Sequence, residues 1–122
     1  LAPAAYEAWL RAQQRPARPP ATPLEVRGQQ QLAALRCTAC HTVRGFAQAA
    51  LDAVEGDAGG PDLTHLASRR MLGGGVVRND ADGLRAWITD VQRLKPGARM
   101  PAYAHLDAET LDALVAYLGS LR

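Results

Sequence analysis

The stretch Cys37-Thr38-Ala39-Cys40-His41 decides how the rest of this 122-residue sequence is interpreted. The chain has two cysteines, and both lie in this stretch, with a histidine directly after the second. A disulfide, a thioredoxin-like redox pair and a zinc site are three uses of such cysteines. The redox pair needs a βαβ setting, and no alternating strand-like segment precedes the motif. Zinc needs further ligands, whereas His65 and His105 have no partner at close spacing.

The order cysteine, two residues, cysteine, histidine is the signature of covalent haem attachment. Attachment needs two thiols near two vinyl groups and an axial base on the same side of the ring, and a helical turn of this composition supplies all three. We therefore predict one haem c attached through Cys37 and Cys40, with His41 as the proximal iron ligand. The motif also occurs by chance, so an unrelated cysteine pair remains an alternative here.

Composition indicates a globular chain of one domain plus a tail, with 48% hydrophobic and 21% charged residues. The net charge of 14 minus 12, or +2, is spread along the chain and does not point to nucleic acid. No apolar run reaches the roughly 18 residues of a membrane-spanning helix. Because the sequence begins at Leu1 without a signal segment, we expect it to be part of a longer or processed protein.

The N-terminal part is predicted to be a helix over residues 4–14, with Tyr6, Trp9 and Leu10 on one side. The stretch RPARPPATP (residues 15–23) contains four prolines and favours an extended, semi-rigid linker. We therefore place a domain boundary here, with residues 1–22 as tail and linker and 23–122 as the domain. A tail on such a linker is expected to add little to the stability of the domain.

Two helices carry explicit start signals. Thr22, Pro23 and Glu25 form a capping box for a helix to about residue 36. Its Gly28 costs about 1 kcal/mol relative to alanine in a helix interior, so we expect another helix to cross closely there, although a tolerated glycine on an exposed face is an alternative. The last helix is predicted to begin after Asp107, flanked by a hydrophobic staple.

Between these helices we predict a short helix over residues 47–56 and another from Asp62 to about Met71, ended by three glycines. A further helix is capped by Asn79 or Asp80 and ends at the Lys95-Pro96-Gly97 breaker. The domain is therefore expected to be all-α, with four to five helices around one covalent haem.

Met100-Pro101, in the loop after that breaker, is the candidate for the second axial ligand. A thioether opposite an imidazole raises the reduction potential of six-coordinate iron and suits electron transfer. Met71 ends a predicted helix and is a poorer candidate. An open iron position, as in a peroxidase or a gas-binding protein, is the alternative that Met100 argues against.

Two further side chains are candidates for the haem propionates. Trp87 could donate its indole N–H, and Arg69 or Arg70 could form a charge-assisted pair. Core packing of the tryptophan and solvation of the arginines are equally good explanations.

Read in order, HTVRG (41–45), GPDLTHLASRR (60–70), LKPGARMPAY (94–103) and LDALVAYLGSL (111–121) resemble a class I cytochrome c. They resemble in particular the C-terminal cytochrome c domain of subunit II in caa3-type cytochrome c oxidases, over residues 23–122. The N-terminal helix resembles the tail that leaves the copper domain of that subunit.

The resemblance implies a class I fold in which the N- and C-terminal helices of the domain, those that follow Thr22 and Asp107, cross. Gly28 would then face the last helix around Tyr117. It implies thioether bonds at Cys37 and Cys40, axial ligands at His41 and Met100, and a Pro61 carbonyl that accepts the other ring N–H of the histidine. Two departures are a longer 42–60 loop and the missing copper domain.

The implied function is single-electron transfer from an external donor, another cytochrome or redox protein, to the dinuclear copper centre of the same subunit. The domain alone would not be an enzyme, whereas its parent would be a cytochrome c oxidase anchored in the membrane. Because haem c is attached outside the cytoplasm, the domain is expected on the periplasmic or exterior face. A free-standing cytochrome c and a domain of another oxidoreductase remain alternatives.

Overall fold

The computed structural model describes residues 1–55 and 59–122. In these ranges the chain forms helices α1 (Pro3–Gln13), α2 (Pro23–Ala34), α3 (Ala47–Glu55), α4 (Ala81–Leu94) and α5 (Ala108–Leu118), short 3-10 turns at Cys37–Ala39 and Leu66–Ser68, and an antiparallel hairpin of β1 (Met71–Leu72) and β2 (Val77–Arg78). The prediction of an all-α fold with four to five helices is confirmed, with the hairpin as a minor addition. The predicted helix over 47–56 is present as α3, and residue 56 lies outside the described ranges.

The start of α2 follows from its sequence. Thr22 Oγ1 accepts a hydrogen bond of 3.1 Å from the Glu25 backbone N–H, while the Glu25 carboxylate accepts one of 2.6 Å from the N–H of Ala21. The capping box is thus present, with its return bond one residue earlier than in the usual arrangement. The helix ends at Ala34, before the predicted residue 36, because Arg36 adopts a left-handed conformation with φ of 65°.

The crossing of α2 and α5 forms the centre of the core. A Cβ atom on Gly28 would lie 2.0 Å from the Ala113 carbonyl oxygen and 2.6 Å from Cβ of Tyr117. Leu32, one turn further along α2, and Tyr117 are both buried. The glycine is therefore required by the backbone approach, which confirms the predicted crossing and excludes a merely tolerated glycine.

The N-caps of α4 and α5 show which of the candidate residues in the sequence begin these helices. The Asp107 carboxylate accepts from the Thr110 N–H at 2.8 Å and begins α5 as predicted. Asp80 caps α4 by accepting from the Gly83 N–H at 2.8 Å. Asn79 instead uses its side-chain amide to donate to the carbonyls of residues 66 and 69.

The predicted helix from Asp62 to Met71 is wrong. The Asp62 carboxylate accepts from the Thr64 N–H at 2.8 Å, two residues on, and this local bond makes a turn that competes with a helix. The Leu63 N–H pairs at 2.8 Å with the Thr42 carbonyl rather than within a helix. Met71 lies in β1, and the three glycines that were expected to end a helix form the hairpin turn with positive φ angles.

The N-terminal arm, residues 1–22, contacts the domain through residues 13–17. We call residues 13–17 the connector. The Ala17 N–H donates to the Arg44 carbonyl at 2.7 Å, and the Arg44 guanidinium donates to the Gln13 carbonyl at 2.6 Å. His65 Nε2 lies 3.0 Å from the Arg15 carbonyl oxygen. Helix α1 itself buries none of its residues. The connector therefore lies against the domain from the last residue of α1 onwards, while the earlier residues of α1 are exposed or only partly buried.

No helix in the described part of the chain has the length and apolar character needed to cross a membrane.

Candidate haem-binding site

The attachment motif lies on a tight turn directly after α2. The backbone N–H groups of Cys40 and His41 both donate to the Cys37 carbonyl, at 3.2 and 2.9 Å. This turn gathers the two cysteines and the histidine within one short stretch of chain. Cys37 and Cys40 are not joined by a disulfide in the structure. Burial raises the pKa of the Cys37 thiol to about 11, which keeps it protonated at neutral pH.

The residue between the cysteines ties the motif to α3. Thr38 is 1% exposed, and its hydroxyl donates to the carboxylate of Asp52 on α3. Gln48 donates to the same carboxylate at 2.8 Å. The hydrogen bond from Thr38, followed by that from Gln48, lowers the pKa of Asp52. Helix α3, which lies in the long 42–60 loop, is therefore hydrogen-bonded to the attachment motif. No pattern in the sequence predicted this contact.

The ring of His41 is oriented by one hydrogen bond to the backbone. Its Nδ1 atom lies 2.8 Å from the Pro61 carbonyl oxygen. Donation from Nδ1 puts the proton on that nitrogen and leaves the lone pair of Nε2 available to a metal. Backbone bonds on either side, from Gly60 to the Cys40 carbonyl at 3.0 Å and from Leu63 to the Thr42 carbonyl, hold the Pro61 carbonyl in this position.

Gly60 is a site residue that sequence reasoning missed. A Cβ atom at this position would lie 2.7 Å from both Cε1 and Nδ1 of the His41 ring. Glycine is therefore required for the backbone to approach the imidazole this closely. The signal was available in the sequence, since Gly60 directly precedes the expected acceptor Pro61.

The loop that carries Met100, residues 95–107, is called the methionine loop here. It is held by one side chain of α4. The Gln92 amide donates to the carbonyls of Ala98 at 2.7 Å and Met100 at 3.2 Å, and its oxygen accepts from the Gly97 N–H at 3.2 Å. Gln92 is a polar residue on an exposed helix face, and no sequence pattern distinguishes it. Met100 is half-buried, whereas Met71 is 40% exposed.

Tyr103 brings the end of the same loop back towards the attachment motif. Its backbone N–H donates to the Ile88 carbonyl at 2.9 Å, and its hydroxyl lies 3.4 Å from the Leu35 carbonyl, two residues before Cys37. Burial, and then the two cysteines, raise the pKa of this tyrosine. The tertiary structure thus brings the methionine loop and the cysteine motif into one region.

The two candidate propionate partners already have contacts in the protein. Trp87 is half-buried, and its ring lies so close to Gly73 that a Cβ there would be 2.4 Å from Cζ3. The Arg69 guanidinium donates to the Asp62 carbonyl at 2.5 Å. Arg70 is exposed. Propionate binding by any of them remains a prediction.

The donor set fits a haem iron. An imidazole with its proton held on the far nitrogen, a half-buried thioether and two adjacent thiols are the groups that bind and attach haem c. Among the residues whose side chains the structure describes, no three His, Cys, Asp or Glu side chains come together in a group that could hold a metal ion.

Crossed terminal helices, a cysteine-cysteine-histidine turn and a histidine oriented by a proline carbonyl define the class of c-type cytochrome domains. The chain belongs to the cytochrome c family, since the family model described as cytochrome c matches residues 25–122. The family implies a covalently bound haem c, and Cys37 and Cys40 stand at the positions of its CxxCH motif.

Two relatives extend the similarity to the N-terminal arm. Cytochrome c oxidase subunit 2 of Alkalihalophilus pseudofirmus is 36% identical over 117 residues, which are 96% of this chain and 31% of that protein. The subunit 2 of Bacillus sp. strain PS3 is 26% identical over 118 residues, which are 96% of this chain and 32% of that protein. The chain spans about a third of the length of the curated relatives it matches. The predicted similarity to oxidase subunit II is confirmed.

Proposed function

We propose that this chain is the electron-transfer domain of a caa3-type cytochrome c oxidase subunit II. In this role it accepts single electrons from an external redox protein and passes them to the dinuclear copper centre of the same subunit. The similarity to two oxidase subunits, which includes the N-terminal arm as well as the domain, supports the proposal. The complete protein would be membrane-anchored, with this domain on the periplasmic or exterior face.

The observation that carries the proposal is the orientation of His41 directly beside the two cysteines. Cys37 and Cys40 would hold the haem by thioether bonds, and His41 Nε2 and Met100 would be its axial ligands. A haem bound there supplies reversible one-electron oxidation and reduction. The hydrogen bond to Pro61 keeps the imidazole in one tautomer and raises its basicity.

The remaining site and domain assignments belong to the same proposal. Trp87 and Arg69 would bind the propionates, in addition to the contacts that they already make. Residues 23–122 would be the cytochrome domain, and residues 1–22 would lead into it from a copper domain. The hydrogen bonds of the connector indicate that this lead-in follows the surface of the domain rather than hanging free.

The ligand assignment is tested by comparing Met100→Ala with Met71→Ala in the haem-loaded protein. Met100→Ala should abolish the iron–sulfur charge-transfer absorption of the ferric form, lower the reduction potential and allow carbon monoxide to bind the reduced form. Met71→Ala should do none of these, because its side chain is exposed on the hairpin. The reverse result would contradict both the ligand assignment and the resemblance through LKPGARMPAY.

The unaltered haem protein provides the functional control. Supplied with a reductant, it should consume oxygen no faster than background, and its reduced form should bind carbon monoxide poorly. Rapid turnover or ready binding would favour a haem enzyme or a gas-binding protein instead. Electron transfer to the copper centre is tested by rapid mixing of the complete subunit with a reduced donor, where haem reduction should precede copper reduction.

A further inference from the structure

Arg44 makes contacts on both sides of its backbone and with its side chain. Its N–H donates to Thr64 Oγ1 at 3.0 Å, and its carbonyl accepts from the Ala17 N–H at 2.7 Å. Its guanidinium donates to the Gln13 carbonyl at 2.6 Å and lies 3.9 Å from the Asp62 carboxylate. One residue therefore joins the connector to the turn that contains residues 62–64.

That turn is part of the segment that orients His41. We call residues 60–64 the proximal loop, because it contains the Pro61 carbonyl that accepts from the histidine. On its inner side, the loop pairs by backbone hydrogen bonds with Cys40 and Thr42. Its outer side is held by Arg44, so the loop lies between the haem motif and the connector.

The proximal loop is held by several hydrogen bonds, so we expect a displacement of its outer side to reach the Pro61 carbonyl. One carboxylate oxygen of Asp62 accepts from both the N–H and the hydroxyl of Thr64, at 2.8 and 2.5 Å. The backbone carbonyl of Asp62 accepts a hydrogen bond from the Arg69 guanidinium at 2.5 Å. Thr64 is 1% exposed, so bulk solvent has little access to its hydroxyl. Pro61 adds a fixed φ angle to this turn.

We propose that Arg44 is a positioning residue that couples the connector to the proximal loop and thereby sets the strength of the His41–Pro61 hydrogen bond. This inference rests on the proposed role of His41 as an iron ligand. One guanidinium nitrogen donates to the Gln13 carbonyl, while Nε faces the Asp62 carboxylate at 3.9 Å as an ion pair, and the planar group fixes the angle between the two contacts. A lysine ammonium is a point charge and combines the hydrogen bond and the ion pair less well.

The expected consequence has a definite sign. A shorter hydrogen bond from Nδ1 makes the imidazole a more basic ligand and favours the ferric state. Loosening the loop should therefore shift the reduction potential upwards. Loss of a positive charge near the iron has the opposite effect on the reduction potential. It stabilises the ferric state and therefore lowers the potential. A substitution that keeps the charge separates the two effects.

The test compares Arg44→Lys with Arg85→Lys in the haem-loaded full chain. Arg85 forms an ion pair with Asp112 between α4 and α5, so its substitution makes the same chemical change away from the connector. Arg44→Lys should raise the midpoint potential by less than about 59 mV, which is the shift that corresponds to a tenfold change in a one-electron equilibrium. It should also speed exchange of the His41 Nδ1 proton with solvent, measured by NMR. Arg85→Lys should change neither quantity.

Arg44→Gln provides a second variant in which the charge is lost. Proton exchange at His41 should again be faster, while backbone amides of α5 should exchange at the wild-type rate, which separates local loosening from global destabilisation. Wild-type potential and wild-type proton exchange in Arg44→Lys would overturn the proposal. Failure of the proposed function would be seen in the unaltered protein instead, as the absence of attached haem or of a histidine ligand.

Discussion

The crossing of α2 and α5 and the loops around His41 and Met100 are held together in different ways. At the crossing, two helix backbones approach until only glycine fits at residue 28, and the surrounding side chains are buried and apolar. In the loops, the segments are held by individual hydrogen bonds, in which a backbone group is paired with a distant backbone group or a polar side chain. The Arg44 backbone N–H donates to Thr64 Oγ1 in the proximal loop, and the Gln92 side chain donates to carbonyls of the methionine loop.

This difference predicts two kinds of response to mutation. Dense packing cannot absorb an added atom, so a change at the crossing destabilises the whole domain. A hydrogen bond between exposed groups contributes only about 1 kcal/mol, so its loss alters the loop more than the stability. The predictions below run from the crossing to the loops and then to the surface.

Gly28→Ala should cause the largest loss of stability. The added Cβ would lie 2.0 Å from a backbone oxygen, which cannot move aside without displacing α5. We expect the free energy of unfolding of the haem protein to fall by about 3 kcal/mol or more, measured in denaturant. Gly119→Ala, at an exposed position with right-handed φ, is the matched control and should change it by less than about 1 kcal/mol. Equal effects at both positions would mean that the crossing is as adaptable as the surface.

Gln92→Ala should have a smaller effect on stability and a clear effect on the site. Three hydrogen bonds to residues 97, 98 and 100 would be lost, all from an exposed side chain. We expect the free energy of unfolding to fall by about 1 kcal/mol. Exogenous ligands such as cyanide should bind the ferric protein faster, because the methionine loop opens more often.

Gln30→Ala, on the exposed face of α2, is the matched control for Gln92→Ala. It removes the same side chain and should leave both the stability and the rate of cyanide binding near the wild-type values. A wild-type rate in Gln92→Ala would mean that the methionine loop does not depend on this side chain.

The smallest expected effect is a change in acid stability at the cap of α5. The hydrogen bonds from Thr110 lower the pKa of Asp107 from its ordinary value of 3.8. A carboxylate with a lowered folded pKa stabilises the protein above its unfolded pKa, and this contribution is lost as the pH falls through the folded value. Asp107→Asn keeps the cap without the titration, so it should unfold like the wild type near about pH 7. Below about pH 4 it should lose less stability on acidification than the wild type. Parallel curves for the two proteins would contradict this role.

The two regions also differ in how far the sequence predicted them. Thr22 and Asp107 act within one helix, and local patterns were sufficient for both, whereas for Gly28 the sequence left a tolerated glycine on an exposed face as an alternative to a helix crossing. Asp62 misled the prediction because an aspartate before a helix and an aspartate in a turn look alike in sequence. The choice between them is made by the Thr42 carbonyl, which lies 20 or more residues away and takes the N–H of Leu63. Arg44 and Gln92 carry no signal at all, since exposed polar residues are common and their acceptors are backbone atoms.

By itself, the sequence determined the class of protein and predicted the residues of its haem site. A cysteine, cysteine and histidine on one turn are a local arrangement, and their spacing needs no tertiary structure to bring them together. Only the tertiary structure decided what surrounds them: the Pro61 carbonyl on the histidine, the glycine that lets it approach, and the connector held against the proximal loop by Arg44. These contacts join segments distant in the chain through backbone groups, which every residue possesses, and side-chain identity therefore leaves their pairing to the fold.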